Sequence, residues 1–215
     1  MSAPAGLPPS LTRAGRGRLA PTEGGLRAAQ SAVLRAFATT GQAPAPAVLA
    51  GAGVEVGAAL ARLHAEDFLR LDDTGRIVAA YPFSAMPTSY LVHIGDGPSV
   101  YAMCAIDALG IARMLGRATT VRSADPSTGE PVTLALDAAG RLRDHQPAAA
   151  AVLVGATAHG ESCVAADTCC ATVSFFASST TARSWLHDNP DVRGPVLDLA
   201  TALDLANEVF GHPLA

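Results

Sequence analysis

The sequence predicts an α+β protein, with an N-terminal winged-helix-like domain followed by a mixed α/β domain. Of its 215 residues, 49% are hydrophobic and 16% are charged, which is enough apolar mass for a packed core. Near the N-terminus, three short helical patterns precede a hairpin pattern, the order found in a winged helix. Beyond them, short strand and helix patterns alternate, and this mixture is typical of an α+β domain.

Composition excludes several classes of protein. The formal net charge is −4 and all fifteen cationic side chains are arginines, so a broad basic surface for nucleic acid is not expected. No apolar run approaches the roughly 20 residues that cross a bilayer. Residues 1–25 place three arginines among Gly, Pro and Ser and lack the apolar centre of a signal peptide. We expect this segment to be a disordered leader of a cytoplasmic protein.

The predicted winged-helix-like domain spans residues 26–84. Apolar residues at spacings of three and four predict a first helix from Leu26 to about Gly41. A short second helix is expected at 46–50 and a third helix at 54–69. Two strands at 69–71 and 76–81 are expected to form a hairpin.

The charges of the third helix argue against DNA binding. One firm cation, Arg62, is accompanied by three carboxylates, Glu55, Glu66 and Asp67. Contacts to phosphates need several cations on one face, so we do not expect a nucleic-acid partner.

The second predicted domain spans residues 85–215, after prolines that interrupt the pattern around 82–98. A helix is expected at 101–115, where Gly116 ends it. The expected strands lie at 89–94, 119–122, 132–136, 149–154 and 171–177. Two further helices are expected at 179–188 and 201–210.

The cysteines indicate chemistry rather than disulfide bonds. Three of the four lie within residues 163–170, unlike the even spread of a disulfide framework. One alternative is that they are inert thiols filling core space. Another is a zinc site completed by His159, which the absence of paired Cys-x-x-Cys spacing disfavours.

Two regions of the sequence together supply thiols and a carboxyl group for one candidate site. Cys104 and Asp107 are three residues apart on the predicted helix, so they share a face. The neighbours of Asp107 are apolar, so this carboxyl group needs a partner or a raised pKa. Cys163, Cys169 and Cys170 provide thiols on a separate loop. Two thiolates can hold a large soft metal ion, and a nearby carboxyl group could deliver a proton to a metal-bound carbon.

Three motifs carry a family resemblance. Residues 101–109 read Tyr-Ala-Met-Cys-Ala-Ile-Asp-Ala-Leu and 115–117 read Leu-Gly-Arg, while 128–132 read Thr-Gly-Glu-Pro-Val. Cys170 precedes Val-Ser-Phe-Phe-Ala-Ser at 173–178. In this order the motifs resemble those of the organomercurial lyases, also called alkylmercury lyases: Tyr-Ala-Trp-Cys-Ala-Leu-Asp-Thr-Leu, Thr-Gly-x-Pro-Val, and Cys-Cys-His-Val-His-Phe-Phe-Ala-Ser. The resemblance extends over about residues 26–210.

The resemblance implies a function in mercury resistance and detoxification. A member of the family cleaves the carbon–mercury bond of alkyl and aryl mercurials and releases a hydrocarbon and Hg(II). It needs no cofactor beyond external thiols, and mercuric reductase is the implied acceptor of the product. The implied fold is a winged-helix-like domain that does not act on DNA, followed by an alkylmercury-lyase-type catalytic domain.

The resemblance also implies roles for three residues. Cys104 would be the first thiolate, Cys170 the second, and Asp107 the group that relays the proton, with all three binding the Hg(II) product. An ungapped alignment of the two following phenylalanines selects Cys170. Selecting Cys169 instead requires a one-residue insertion, which strands tolerate poorly because a slip moves every side chain to the other face.

Departures from the family pattern leave two alternatives open. The differing positions are Met103, Asp125, Thr172 and Ser174, which replace a Trp, a loop Cys and two His. Cys163 and Cys169 have no counterpart. One alternative is a same-fold enzyme that acts on another carbon–heteroatom or metalloid compound. The other is a non-catalytic thiolate metal sensor or carrier.

Overall fold

The computed structural model describes residues 18–45, 49, 55–157, 170–211 and 214. Most of the predicted second helix at 46–50 lies outside the described residues, as do residues 1–17, His159, Cys163 and Cys169. In the described part of the chain, no helix is both long enough and apolar enough to cross a membrane.

Two helices form the N-terminal part of the described chain. Helix α1 covers Leu26–Thr40 and ends as predicted at Gly41, which adopts φ 77° and donates its N–H to the carbonyl of Phe37. This left-handed conformation favours glycine. Helix α2 covers Val56–Ala65 and is shorter than the predicted span of 54–69. The chain turns after it, with Asp67 at φ 60°.

The predicted leader differs from the structure at its C-terminal end. The described residues begin at Arg18, and Ala20 is fully buried. The side chain of buried Gln30 accepts a hydrogen bond from the Ala20 N–H at 2.6 Å and donates to the Arg18 carbonyl at 2.7 Å. These bonds satisfy backbone groups that no regular element would pair, so no periodic pattern indicated an ordered segment.

An eight-stranded antiparallel sheet forms the centre of the molecule, in the order β1-β2-β3-β5-β4-β6-β7-β8. Its strands are β1 (Leu69–Leu71), β2 (Ile77–Ala80), β3 (Phe83–Ser84), β4 (Leu91–Ile94), β5 (Ser99–Ala102), β6 (Thr119–Ala124), β7 (Pro131–Leu136) and β8 (Leu142–Gln146). The predicted hairpin is confirmed as β1 and β2, and β3 connects it to the larger sheet. The winged-helix arrangement and the boundary at residue 84 stay predictions.

Helix α3 (Ala105–Leu115) is largely buried, with nine of its eleven residues in the interior. It packs against the last helix, and the Cα of Gly110 faces the ring of Phe210 so closely that a Cβ there would overlap it. The remaining elements are β9 (Ala151–Val154), β10 (Ala156–Thr157), β11 (Val173–Phe176), helix α4 (Ser179–Asp188), β12 (Val192–Arg193), β13 (Val196–Asp198) and helix α5 (Leu199–Phe210). Strands β11, β9 and β13 form a second antiparallel sheet. The predicted α+β class is confirmed.

Candidate active site

Cys104 lies at the start of α3 rather than inside a helix that begins at residue 101. Tyr101 and Ala102 belong to β5, and Cys104 has extended backbone angles of φ −154° and ψ −178°. Apolar residues run without a break from the strand into the helix, so their spacing does not reveal this boundary. Cys104 is the N-cap residue, and its Sγ accepts the N–H of Asp107 at 3.5 Å. Capping geometry therefore brings the thiol to the carboxyl group.

Cys104, Asp107 and Cys170 form one buried cluster. The Cys104 thiol donates to Oδ2 of Asp107 at 2.8 Å, and the Cys170 thiol donates to the same oxygen at 3.8 Å. The three candidate ligand atoms all lie within 4.8 Å of one another. The exposed fractions of the three residues are 2%, 4% and 6%. Two soft sulfur ligands and one carboxylate oxygen thus converge where water is largely excluded.

Strand β11 positions the thiol of Cys170 in this cluster. Cys170 begins a short 3₁₀ turn, Cys170–Thr172, that leads directly into the strand. Strand β11 contacts α3 and pairs with β9, so the end of the strand fixes the position of the turn beside the helix. Cys169 lies outside the described residues, and its place as the alternative to Cys170 stays a prediction.

Burial controls the ionisation of the cluster. It raises the pKa of Cys104 to about 11 and the pKa of Asp107 to about 6, although hydrogen bonds from the thiols and the charge of Arg18 oppose the shift of Asp107. At neutral pH, Asp107 is therefore mostly ionised while Cys104 keeps its proton. The resting site holds a thiol as donor and a carboxylate as acceptor. Asp107 is placed to take a proton from sulfur and to hold it.

Tyr90 borders the cluster and was missed by sequence reasoning. Its hydroxyl donates to the Val173 carbonyl at 3.0 Å and lies 2.8 Å from Oγ of Ser174. Burial raises its pKa, and the charges of Cys104, Cys170 and Asp107 add to the effect. The phenol is therefore neutral and ties the segment before β4 to β11. A single tyrosine in the predicted strand 89–94 carries no signal that could have identified it as a site residue.

Asp125 fastens the other end of β11. It is 1% exposed, and its Oδ1 accepts the N–H of Ser127 at 2.8 Å while its Oδ2 accepts the N–H of Ala177 at 2.8 Å. Burial alone would raise its pKa, but these and other donors outweigh burial and lower it. The carboxylate thus joins the turn after β6 to the residue after β11. This is the position where the family resemblance expects a loop cysteine.

Comparison with known proteins shows which family the chain resembles. Residues 83–211 match the family model described as alkylmercury lyase. An alkylmercury lyase of Staphylococcus epidermidis is 29% identical over 141 residues, covering 66% of this chain and 62% of that protein. One of Bacillus cereus is 31% identical over 141 residues, covering 64% and 60%. The chain thus spans about 60% of the length of these relatives in the aligned regions.

A solved structure has a similar fold. It is described as the mercury-bound form of MerB2, with a TM-score of 0.72 and 22% sequence identity over 95% of this chain and 98% of that chain. The buried cluster offers two sulfur atoms and one carboxylate oxygen, a donor set that suits soft metal ions. Because the family model matches more than half of its residues, the chain belongs to the alkylmercury lyase family.

Proposed function

We propose that this protein cleaves the carbon–mercury bond of organomercurials, releasing the hydrocarbon and Hg(II). The observation that carries the proposal is the shared acceptor: Oδ2 of Asp107 lies 2.8 Å from the sulfur of Cys104 and 3.8 Å from that of Cys170. One carboxylate can therefore exchange protons with two thiols. The names of the relatives, all alkylmercury lyases, support mercury as the metal.

The first step is a ligand exchange on the substrate, a mercurial carried as its thiol adduct. Asp107 takes the proton of Cys104 along their 2.8 Å hydrogen bond, and the resulting thiolate attacks mercury. The sulfur–mercury bond to the carrier breaks as the new one forms, and the carrier leaves as a free thiol with the proton from Asp107. The organic group now sits on mercury bound to Cys104.

The second step breaks the carbon–mercury bond. Asp107 takes the proton of Cys170, whose thiolate becomes the second sulfur ligand of mercury and raises the electron density on the bound carbon. Asp107 then gives this proton to the carbon, which leaves with the bonding electron pair as the hydrocarbon. The products are one hydrocarbon and Hg(II) held by two thiolates, so atoms and charges balance. A carboxyl pKa of about 6 suits a group that both accepts and delivers a proton near neutral pH.

Release of Hg(II) completes the cycle. Two external thiols displace the two cysteines from the metal and return their protons to Cys104 and Cys170. External thiols are thus the co-substrate, and the cycle uses no other cofactor. A mercuric reductase would be the acceptor of the released metal in a detoxification system. The cytoplasmic location and the absence of a nucleic-acid partner stay predictions.

The test is hydrocarbon release by the purified full chain. Incubated anaerobically with the cysteine adduct of phenylmercury and excess thiol, the protein should produce benzene, measured by gas chromatography. We expect Cys104→Ser and Cys170→Ser to abolish release and Cys169→Ser, the matched thiol variant, to retain it.

Other outcomes would point to the alternative functions. Tight binding of phenylmercury without benzene would contradict the lyase and indicate a thiolate sensor or carrier. Neither binding nor release would direct attention to other carbon–heteroatom or metalloid substrates. Loss of release in Cys169→Ser with retention in Cys170→Ser would reverse the choice of the second thiol.

A further inference from the structure

The two thiols of the candidate site adjoin different sheets. Cys104 lies just after β5 of the eight-stranded sheet, whereas Cys170 begins the turn that leads into β11 of the three-stranded sheet. Both sulfur atoms contact Oδ2 of Asp107, but the contact of Cys170 is long, at 3.8 Å. The separation of the two thiols therefore depends on the contacts that hold the two sheets together near them.

The backbone of Tyr90 is fixed to the eight-stranded sheet beside Cys104. Its carbonyl accepts the N–H of Ala102, the last residue of β5, at 2.9 Å. Its N–H donates to the hydroxyl of Thr88 at 3.2 Å, and that hydroxyl donates to the Ala102 carbonyl at 2.6 Å. Both backbone polar groups of Ala102 are thus bonded to the segment that carries Tyr90, and Cys104 follows Ala102 with one residue between them.

The side chain of Tyr90 reaches the three-stranded sheet. Its hydroxyl donates to the Val173 carbonyl at 3.0 Å and lies 2.8 Å from Oγ of Ser174. A phenol has one proton to donate, so the Ser174 hydroxyl is the donor in the second bond. The ring also makes an edge contact with Phe175, with ring centres 6.0 Å apart. Tyr90 is 7% exposed, so water competes little for these hydrogen bonds.

The bonds of Tyr90 lie at the end of β11 that is next to Cys170. Val173 is the first residue of β11 and directly follows the turn Cys170–Thr172. Among the described strands of that sheet, in the order β11-β9-β13, β11 is outermost, so a bond from the larger sheet restrains it on its open side. Tyr90 is thus a hydrogen-bonded bridge between the two sheets, placed where the two thiols meet.

We propose that Tyr90 is a positioning residue that sets the separation of the Cys104 and Cys170 thiols through its bonds to Ala102 and Val173. The proposal rests on the proposed function. Capture of an organomercurial needs one thiolate, but carbon–mercury cleavage and retention of Hg(II) need both sulfur atoms at one metal ion. A displacement of about 1 Å in a reacting group can slow a reaction about 100-fold. Loss of the bridge should therefore impair the steps that use both thiols and spare the step that uses one.

Removal of one hydroxyl tests the bridge. Tyr90→Phe keeps the ring but loses both hydrogen bonds of the phenol. Tyr81→Phe is the matched control, because Tyr81 is 1% exposed and its hydroxyl donates to Oδ1 of Asp67 at 3.1 Å, a residue in neither thiol-bearing segment. Each full-length variant is assayed for kcat and KM of benzene release, for Hg(II) affinity by competition with dithiothreitol, and for thermal unfolding. Tyr90→Phe is also combined with Cys170→Ser, which leaves one of the two thiols of the site.

We expect Tyr90→Phe to lower kcat and Hg(II) affinity by about tenfold or more, with a much smaller change in KM. Tyr81→Phe should lose similar thermal stability and keep both quantities. Added to Cys170→Ser, Tyr90→Phe should leave Hg(II) affinity unchanged, because a single thiol has no separation to set. An equal loss of affinity with and without Cys170 would overturn the proposal, as would an unchanged kcat in Tyr90→Phe or equal losses of kcat in the two phenylalanine variants.

Ser174 keeps the test decisive if Tyr90→Phe does not fold. Ser174→Ala removes the donor to the Tyr90 oxygen, whereas Ser174→Thr keeps a hydroxyl in a residue suited to strands. Both kcat and Hg(II) affinity should fall in Ser174→Ala and recover in Ser174→Thr, and equal values in these two variants would contradict the proposal. If the unmodified protein binds Hg(II) but releases no benzene, the proposed function fails while the Hg(II) affinities still decide the role of Tyr90. If it does not bind Hg(II), both proposals fail.

Discussion

Cys104 and Asp107 hydrogen-bond to each other in both directions. The backbone N–H of Asp107 donates to Sγ of Cys104 at 3.5 Å, and the thiol donates back to Oδ2 of Asp107 at 2.8 Å. The first of these bonds is that of a helix N-cap, with a thiol in the place of the usual hydroxyl. The first turn of α3 therefore holds the sulfur and the carboxylate in contact before any substrate is present.

Asp107→Asn should separate metal binding from proton transfer. The amide has the shape of the carboxyl group but cannot take a proton from a thiol, so benzene release should fall about 100-fold or more. Hg(II) binding should survive because both sulfurs remain. Gas chromatography and a dithiothreitol competition assay measure the two properties. An Asp107→Asn variant with full benzene release would contradict the proton relay.

The pKa of Asp107 also predicts a pH dependence of stability. Its pKa is about 6 in the folded protein, against 3.8 for an unperturbed aspartic acid, so the folded state binds this proton more tightly. Its stabilising contribution is complete below about pH 4 and is lost as the pH rises through 6. At pH 7 the buried charge costs up to about 3 kcal/mol.

Asp107→Asn should therefore be more stable than the unmodified protein at pH 7 and should lose this dependence between pH 4 and 6. Urea unfolding at several pH values measures the free energy of unfolding. The same pKa places the fall of kcat/KM on acidification near pH 6, because protonated Asp107 cannot accept the thiol proton. Equal unfolding free energies of the two proteins at every pH would contradict the assignment.

Asp125→Ala should loosen the strand that leads from Cys170. The substitution leaves the Ala177 N–H and the turn after β6 without their acceptor, which should cost about 2 kcal/mol or more of unfolding free energy and also reduce benzene release. Asp137→Ala is the matched control, since Asp137 accepts the Ala139 N–H in a similar turn far along the sheet from the cluster. Urea unfolding and benzene release measure both variants. Unimpaired benzene release in Asp125→Ala would show that the hydrogen bond to Asp125 is not needed to hold β11 in place.

Local signals predicted part of this fold well. Helix α1 ends at Gly41 as its spacing indicates, and α4 covers the predicted span 179–188, with Ser178 forming a capping box. Strand β8 was missed because none of its residues is buried, so no alternation of apolar and polar residues marks it. The conformation of residues 18–25 depends on a hydrogen bond to the side chain of Gln30, a tertiary contact that no local pattern reveals.

The residues predicted Cys104, Asp107 and a loop thiol as a candidate site, but the choice of Cys170 among the loop thiols came from the family resemblance. Spacing alone associated Cys104 with Asp107, and the structure shows that capping geometry rather than a shared helix face joins them. The approach of Cys170 depends on the contact between β11 and α3, far apart in the chain. Tyr90 lies in the predicted strand 89–94, and nothing in that pattern marks it as a neighbour of the site. The catalytic roles of the three cluster residues stay predictions until the variants are assayed.

The contact between α3 and α5 predicts an effect of a single methyl group. At Gly110, an added Cβ would overlap the ring of Phe210, so Gly110→Ala must displace α5 from the helix that carries Asp107. We expect a loss of about 1–3 kcal/mol in unfolding free energy, because overpacking a buried contact forces the backbone to shift.

Gly57→Ala is the matched control: a Cβ at Gly57, in α2, has no atom within 4 Å. Alanine is the better helix former, so that variant should gain about 0.5–1 kcal/mol. Urea unfolding measures both, and equal effects of the two substitutions would show that the α3–α5 contact is not as close as described.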